Sequence, residues 1–141
     1  MKKQLISTLA IIAFTLTMSV KAEEVCKPVK HAKVSTITNL TYQKARKALI
    51  KAGWQPLQTK TFNDVAKEVS EDPDLSAGNG MIFWNKGYVE IEGCAGTGLS
   101  PCAFLFKDIY SNQLRVTTAG EENPKDKAYA KVTGFNFVCT Q

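Results

Sequence analysis

Every cysteine of this 141-residue chain, Cys26, Cys94, Cys102 and Cys139, follows an opening stretch built like an export signal. Residues 1–22, MKKQLISTLAIIAFTLTMSVKA, begin with Lys2 and Lys3 and continue as an apolar run diluted by Ser and Thr. They end on Val20-Lys21-Ala22, with small residues at −3 and −1 of a cleavage site. A spanning helix needs about 20 strongly apolar residues, so a cleaved signal is favoured over an anchor. The residues before Cys26, AEEV, place two carboxylates where a lipobox wants Leu and small side chains. The short basic start is of bacterial type. The expected destination is therefore the periplasm or the exterior, with cleavage after Ala22 and residues 23–141 forming one domain.

In that compartment an even cysteine count reads as disulfides, with three possible pairings. Cys94–Cys102 and Cys26–Cys139 are favoured. The first pair brackets Gly96, Gly98 and Pro101, which let the chain reverse, and the second ties the N-terminus to the last strand. The loop-entropy model gives about 2.6 and about 4.8 kcal/mol for the two closures. The other readings of the 94–102 stretch are weaker. Structural zinc wants closer spacing and partner ligands, whereas His31 is the sole histidine. A redox pair wants C-x-x-C, and neither a P-loop nor a nucleophile elbow is present. No metal or cofactor is expected. The loop 95–101 stays open as a binding element.

Loss of residues 1–22 removes Lys2, Lys3 and Lys21 but no acid, lowering the net charge from +5 to +2. A strongly basic nucleic-acid binder is thus not indicated. Nothing after residue 22 is apolar for long enough to span a bilayer.

Residues 23–35 read as a charged tail, and Val34–Ile37 as a short first strand. Ala45, Ala48, Leu49 and Ala52 recur at helical spacing, with Asn39 or Thr41 as cap, Lys44, Lys47 and Lys51 opposite, and Gly53 as stop. Trp54 and Leu57 lead into an extended segment. Residues 58–80 read as polar connection with a short helix near Asp64 to Val69, and Glu71, Asp72 and Asp74 as a solvated acidic loop without calcium-loop rhythm. Met81 to Trp84 reads as a short apolar turn or helix, and Tyr88 to Ile91 as a strand placing Glu90 and Glu92 on one exposed face. Gly53-Trp54 and Gly87-Tyr88 repeat a glycine–aromatic step.

From Cys102 onward the pattern is β. CAFLFKD, NQLRVTTAG and YAKVTGFNFVC are rich in aromatic and β-branched residues, and Leu114, Val116 and Thr118 alternate with polar neighbours. Short connections favour an antiparallel meander, with Phe104, Phe106, Phe135 and Phe137 in the core. The expected fold is α+β: an N-terminal helix packed on a mainly antiparallel sheet ending in a three-stranded meander, stabilised by disulfides.

Two resemblances bear on function. Thr41, Ala45, Leu49 and Gly53 resemble the helix of PASTA domains, small extracytoplasmic modules linked to cell-wall recognition. The stretch from Gly87 to about Gly120, with Cys-x-Gly-Thr-Gly…Cys and a following strand pair, is similar to a group of small exported proteins of Gram-negative bacteria without an established activity. The helix-plus-meander arrangement is also similar to the SmpA and β-lactamase-inhibitor folds, an analogy of fold alone.

No Ser or Cys stands with a visible base and no ligand cluster appears, so the expected function is non-catalytic binding, as an inhibitor, immunity or envelope-associated module. The partner would be a periplasmic protein or a cell-wall glycan. Trp54, Tyr88, Thr97 and Leu99 are the candidate binding surface. The alternatives are a peptidoglycan-binding module, or a cell-wall enzyme using Glu90 or Glu92 with Asp108 as paired carboxylates.

Overall fold

The computed structural model describes residues 27–96 and 98–139, as α1 (Tyr42–Lys51), β1 (Gln55–Pro56), α2 (Phe62–Glu71), a 3₁₀ turn (Pro73–Ala77), α3 (Asn79–Asn85), β2 (Ile91–Cys94), β3 (Cys102–Lys107), β4 (Gln113–Ala119), a second 3₁₀ turn (Pro124–Asp126) and β5 (Lys131–Val138). Every strand pairing is antiparallel. β3, β4 and β5 form the expected meander. The other edge of β3 is shared end to end, β1 covering Phe106 and Lys107 and β2 covering Cys102 to Phe104. The α+β expectation, the helix on the sheet and the Cys94–Cys102 bond all hold.

Strand alternation sets the core. Phe104 and Phe106 of β3, Leu114, Val116 and Thr118 of β4 and Val132 of β5 face one side and are buried. α1 lays Tyr42, Ala45 and Leu49 on that face, and α3 adds Phe83. The Tyr42 ring stacks on Phe104, and Phe83 meets Phe104 edge-on at 5.0 Å between centroids.

The two glycine–aromatic steps are one device used twice. At the end of α1 the Gly53 N–H donates to the Ile50 carbonyl and the Trp54 N–H to the Leu49 carbonyl. At the end of α3 Gly87 donates to Trp84 and Tyr88 to Phe83. Both glycines have positive φ, +100° and +78°. This is the Schellman termination, in which a left-handed residue turns the chain back onto orphan carbonyls. It turns the chain back at the helix end, where Tyr88 packs on Phe83 of α3, so the repeat is one of capping.

Several expectations are corrected. Residues 34–37 form no strand. Only Ile37 is buried there, and the chain meets β5 through single contacts, Asn39 N–H to the Val132 carbonyl and Val132 N–H to the Leu40 carbonyl. Thr41 holds the N-cap position of α1 without a side-chain cap bond, and the Tyr42 N–H instead donates to the Ala130 carbonyl. α2 is longer than expected because Thr61 and Asp64 form a capping box. Tyr88 to Glu90 lie in a turn, and the strand begins only at Ile91. Phe135 is opposite Val116 on the core face but 41% exposed, because β5 is the edge strand and, among the described residues, no strand pairs beyond it. Phe137 is half-buried between Trp54 and His31.

Among the described residues no helix is long and apolar enough to cross a membrane. Cys139 is also disulfide-bonded. Cys26, the expected signal and its cleavage site lie outside the described residues.

Candidate functional site

Cys94 and Cys102 face each other across the β2–β3 pair, so their bond closes a hairpin whose connection is the loop 95–101. The loop is pinned at its base by the Ala95 N–H to the Pro101 carbonyl and at its far side by the Gly120 N–H to the Leu99 carbonyl. It forms one wall of a groove of about 1280 Å³. The opposite wall is α2 and the 3₁₀ turn after it, through Val65, Val69 and Leu75, while Met81, Ile82, Trp84 and Ile91 line the rest. Glu68, Asp72, Lys86, Glu121 and Lys125 supply charge around it. An apolar-lined concavity with a few charges is the usual build of a ligand site.

Two buried carboxylates hold the surrounding elements together. Glu122 accepts from Lys86 Nζ at 2.5 Å, Gln43 Nε2 at 2.5 Å and the Ala130 N–H at 3.0 Å. Its own N–H donates to Asn79 Oδ1, and Asn79 Nδ2 donates to the Gly120 and Ser100 carbonyls. The β4–β5 connection, α1, α3 and the loop 95–101 are thereby joined through the buried Glu122 carboxylate and Asn79 amide. Glu90 accepts from the Tyr42 hydroxyl at 2.7 Å and from Arg46 Nε at 2.5 Å, and the Arg46 guanidinium lies over the Tyr88 ring at 4.6 Å. Burial, and then the nearby Glu90 charge, holds the Tyr42 phenol well above its ordinary pKa, so it stays a donor.

The candidate surface residues separate. Trp54 is fully buried, its indole N–H donating to the Lys33 carbonyl at 3.1 Å, which takes it out of any binding surface. Tyr88 is half-buried against Tyr42 and Phe83. Leu99 is 73% exposed on the loop beside the groove. Thr97 lies outside the described residues.

The three carboxylates considered for acid–base work have separate surroundings. Glu90 is inside the core contact just described, and not on an exposed strand face. Glu92 is held by Arg115 through two bonds, 2.6 Å and 2.9 Å. Asp108 follows the far end of β3 and accepts from Ala32, Tyr110 and Asn112. Burial pushes the Asp108 carboxyl up, but these donors more than offset it and hold it below the ordinary carboxylate value. Among the described residues no three of His, Cys, Asp or Glu converge as a metal-ligand set.

The groove and the Glu122 junction are absent from the sequence reading. Residues 58–80 look like polar connection, and Glu122 sits in a run of turn residues, EENPKDK. The Thr61-x-x-Asp64 capping pattern and the helical spacing of Phe62, Val65 and Val69 are the local signals that α2 is a full helix able to form a wall.

No protein-family model matches the chain, and no curated protein or solved structure matches it either.

Proposed function

We propose that this chain is an exported, non-catalytic binding domain of the periplasm or cell exterior, acting as an inhibitor, immunity or envelope-associated module, and that its working surface is the groove beside the Cys94–Cys102 hairpin. The observation that carries the reading is the groove itself: an apolar-lined concavity of about 1280 Å³, walled on one side by a disulfide-closed loop. A closed hairpin presents its wall with little ordering cost on binding. The state of the carboxylates supports the non-catalytic part. Glu90, Glu92 and Asp108 each spend their oxygens on protein donors, and they occupy different parts of the sheet.

The test compares wild-type protein recovered after export with Leu75→Asp, which places a charge on the apolar groove wall at a residue already 40% exposed. Crosslinking of native periplasmic extract followed by mass spectrometry should give a partner with the wild type and lose it with the variant. Equal capture by both would remove the groove as the working surface. Sedimentation with purified peptidoglycan separates the cell-wall reading suggested by the PASTA-like helix, whose Ala45 and Leu49 are spent in the core.

A further inference from the structure

A second surface lies away from the groove, where β3 turns into β4. The turn at 108–112 is rigidly built: the Asp108 N–H donates to the Asn112 carbonyl, the Ser111 N–H donates to the Asp108 carbonyl, and Ser111 has φ of +68°. The Asp108 carboxylate gathers the N–H groups of Tyr110 and Asn112 within the turn and that of Ala32 from the N-terminal segment. Asn112 Nδ2 also donates to the Lys30 carbonyl, and Lys30 Nζ lies 4.5 Å from the centre of the Tyr110 ring. The N-terminal segment and the hairpin turn therefore form one tip.

The tip presents apolar and basic side chains together. Ile109 is 80% exposed, Val29 fully exposed and Tyr110 43% exposed. Around them stand Lys30 and Lys107, both exposed, with the exposed Lys27 and Lys33 nearby in the chain, and none of these lysines pairs with a carboxylate among the described residues. The one carboxylate of the turn, Asp108, is buried and committed to its donors. The sequence from 27 to 60 contains no acidic residue, whereas Glu68, Asp72 and Glu121 are around the groove.

We propose that this tip is a peripheral docking surface for a bilayer bearing anionic phospholipid headgroups, with Val29 and Ile109 entering the interface and Lys27, Lys30 and Lys107 lying among the phosphates. Charge complementarity identifies the partner as anionic. The apolar residues select a bilayer over a soluble polyanion, because Val29 and Ile109 have neither a ring face for stacking on a base nor a polar group for a sugar. A bilayer interface takes an apolar protrusion and a basic rim together, and Tyr110 has the amphipathic ring that suits the same depth. Apolar insertion and cation attraction are each weak alone, and two such signals are what reversible membrane attachment requires.

The experiment is vesicle flotation of the exported protein with phosphatidylcholine vesicles, with and without phosphatidylglycerol. Binding is expected only to the anionic vesicles and should weaken as salt is raised. Lys30→Gln with Lys107→Gln should lower the partition coefficient about 25-fold, at about fivefold per lysine. Ile109→Ser should weaken binding while leaving its salt dependence unchanged. Lys125→Gln, on the groove rim, removes one charge elsewhere and should leave binding as it was. All four positions are exposed, and matching urea midpoints would exclude misfolding. Equal binding to neutral vesicles, indifference to the paired lysine change, or binding to soluble heparin without binding to vesicles would each overturn the proposal. The Leu75→Asp variant should float like wild type, which keeps this surface separable from the groove.

Discussion

The Tyr42 hydroxyl donates to Glu90 Oε1 at 2.7 Å in a space closed to solvent, while the ring of the same tyrosine stacks on Phe104. One side chain thus serves the apolar core and a buried ionic contact together. Tyr42→Phe keeps the stack and removes the donor, and should cost about 2 kcal/mol, the range of a hydrogen bond to a charged acceptor. Glu90→Ala should cost more, about 3 kcal/mol, because it strands the Tyr42 hydroxyl, unpairs Arg46 and opens a cavity. Urea unfolding at neutral pH measures both. The raised phenol pKa adds a pH signature. The protonated form is favoured in the folded state, so the contribution is complete below pH 10.0 and is lost as pH rises above it. Wild type should lose stability above that pH relative to Tyr42→Phe, and parallel profiles would contradict the assignment.

Asp108 gives the opposite sign. Its carboxyl is held below the ordinary 3.8, so the stability it contributes is present above that value and disappears as pH falls through the lower folded value. Asp108→Asn keeps the shape but accepts fewer of the surrounding N–H bonds. It should be less stable than wild type at neutral pH, and the gap should narrow as the solution is acidified below 3.8. Urea midpoints across that range decide it.

How far the residues announced this structure depends on whether their signal was local. Ala45 and Leu49 at helical spacing before Gly53 mark α1, because a helix and its stop are written within about 12 residues. Leu114, Val116 and Thr118 mark β4 by period two. Glu90 could not be placed, since its burial depends on Tyr42 and Arg46, each more than 40 residues away in sequence. Phe135 carries the same β pattern as Phe104, yet nothing local says that β5 is the edge strand of the described sheet. The groove is missed for the same reason. Its outer wall, residues 62–77, is largely polar and broken by Pro73 as a loop would be, and becomes a wall only when α3 and β2 fix where it must pass.

The Cys94–Cys102 bond closes a nine-residue loop between strand neighbours, and the loop-entropy model assigns it about 2.6 kcal/mol. Cys94→Ala with Cys102→Ala should lower the urea-derived stability by about that amount at neutral pH. The double variant should also open the loop 95–101 first, seen as faster amide hydrogen exchange at Ala95 and Gly120, the two N–H groups that pin the loop. A stability loss with unchanged protection at both amides would mean that the hydrogen bonds alone hold the groove wall.

The twin helix stops allow backbone strain to be separated from packing. Gly53 has φ of +100° and Gly87 of +78°, in the left-handed region where a Cβ costs about 1–2 kcal/mol. An alanine Cβ at Gly53 would meet only the Ala32 Cβ at 3.7 Å, an ordinary contact, and at Gly87 it would meet nothing within 4 Å. Neither substitution clashes, so the cost of each should come from the backbone. Gly53→Ala and Gly87→Ala should each lower stability by about 1–2 kcal/mol, roughly additively, in urea titrations of the single and double variants. Should Gly87→Ala prove neutral, the α3 stop would not require its left-handed residue. The placement of Tyr88 beneath Arg46 would then have to come from the aromatic contacts with Tyr42 and Phe83 instead.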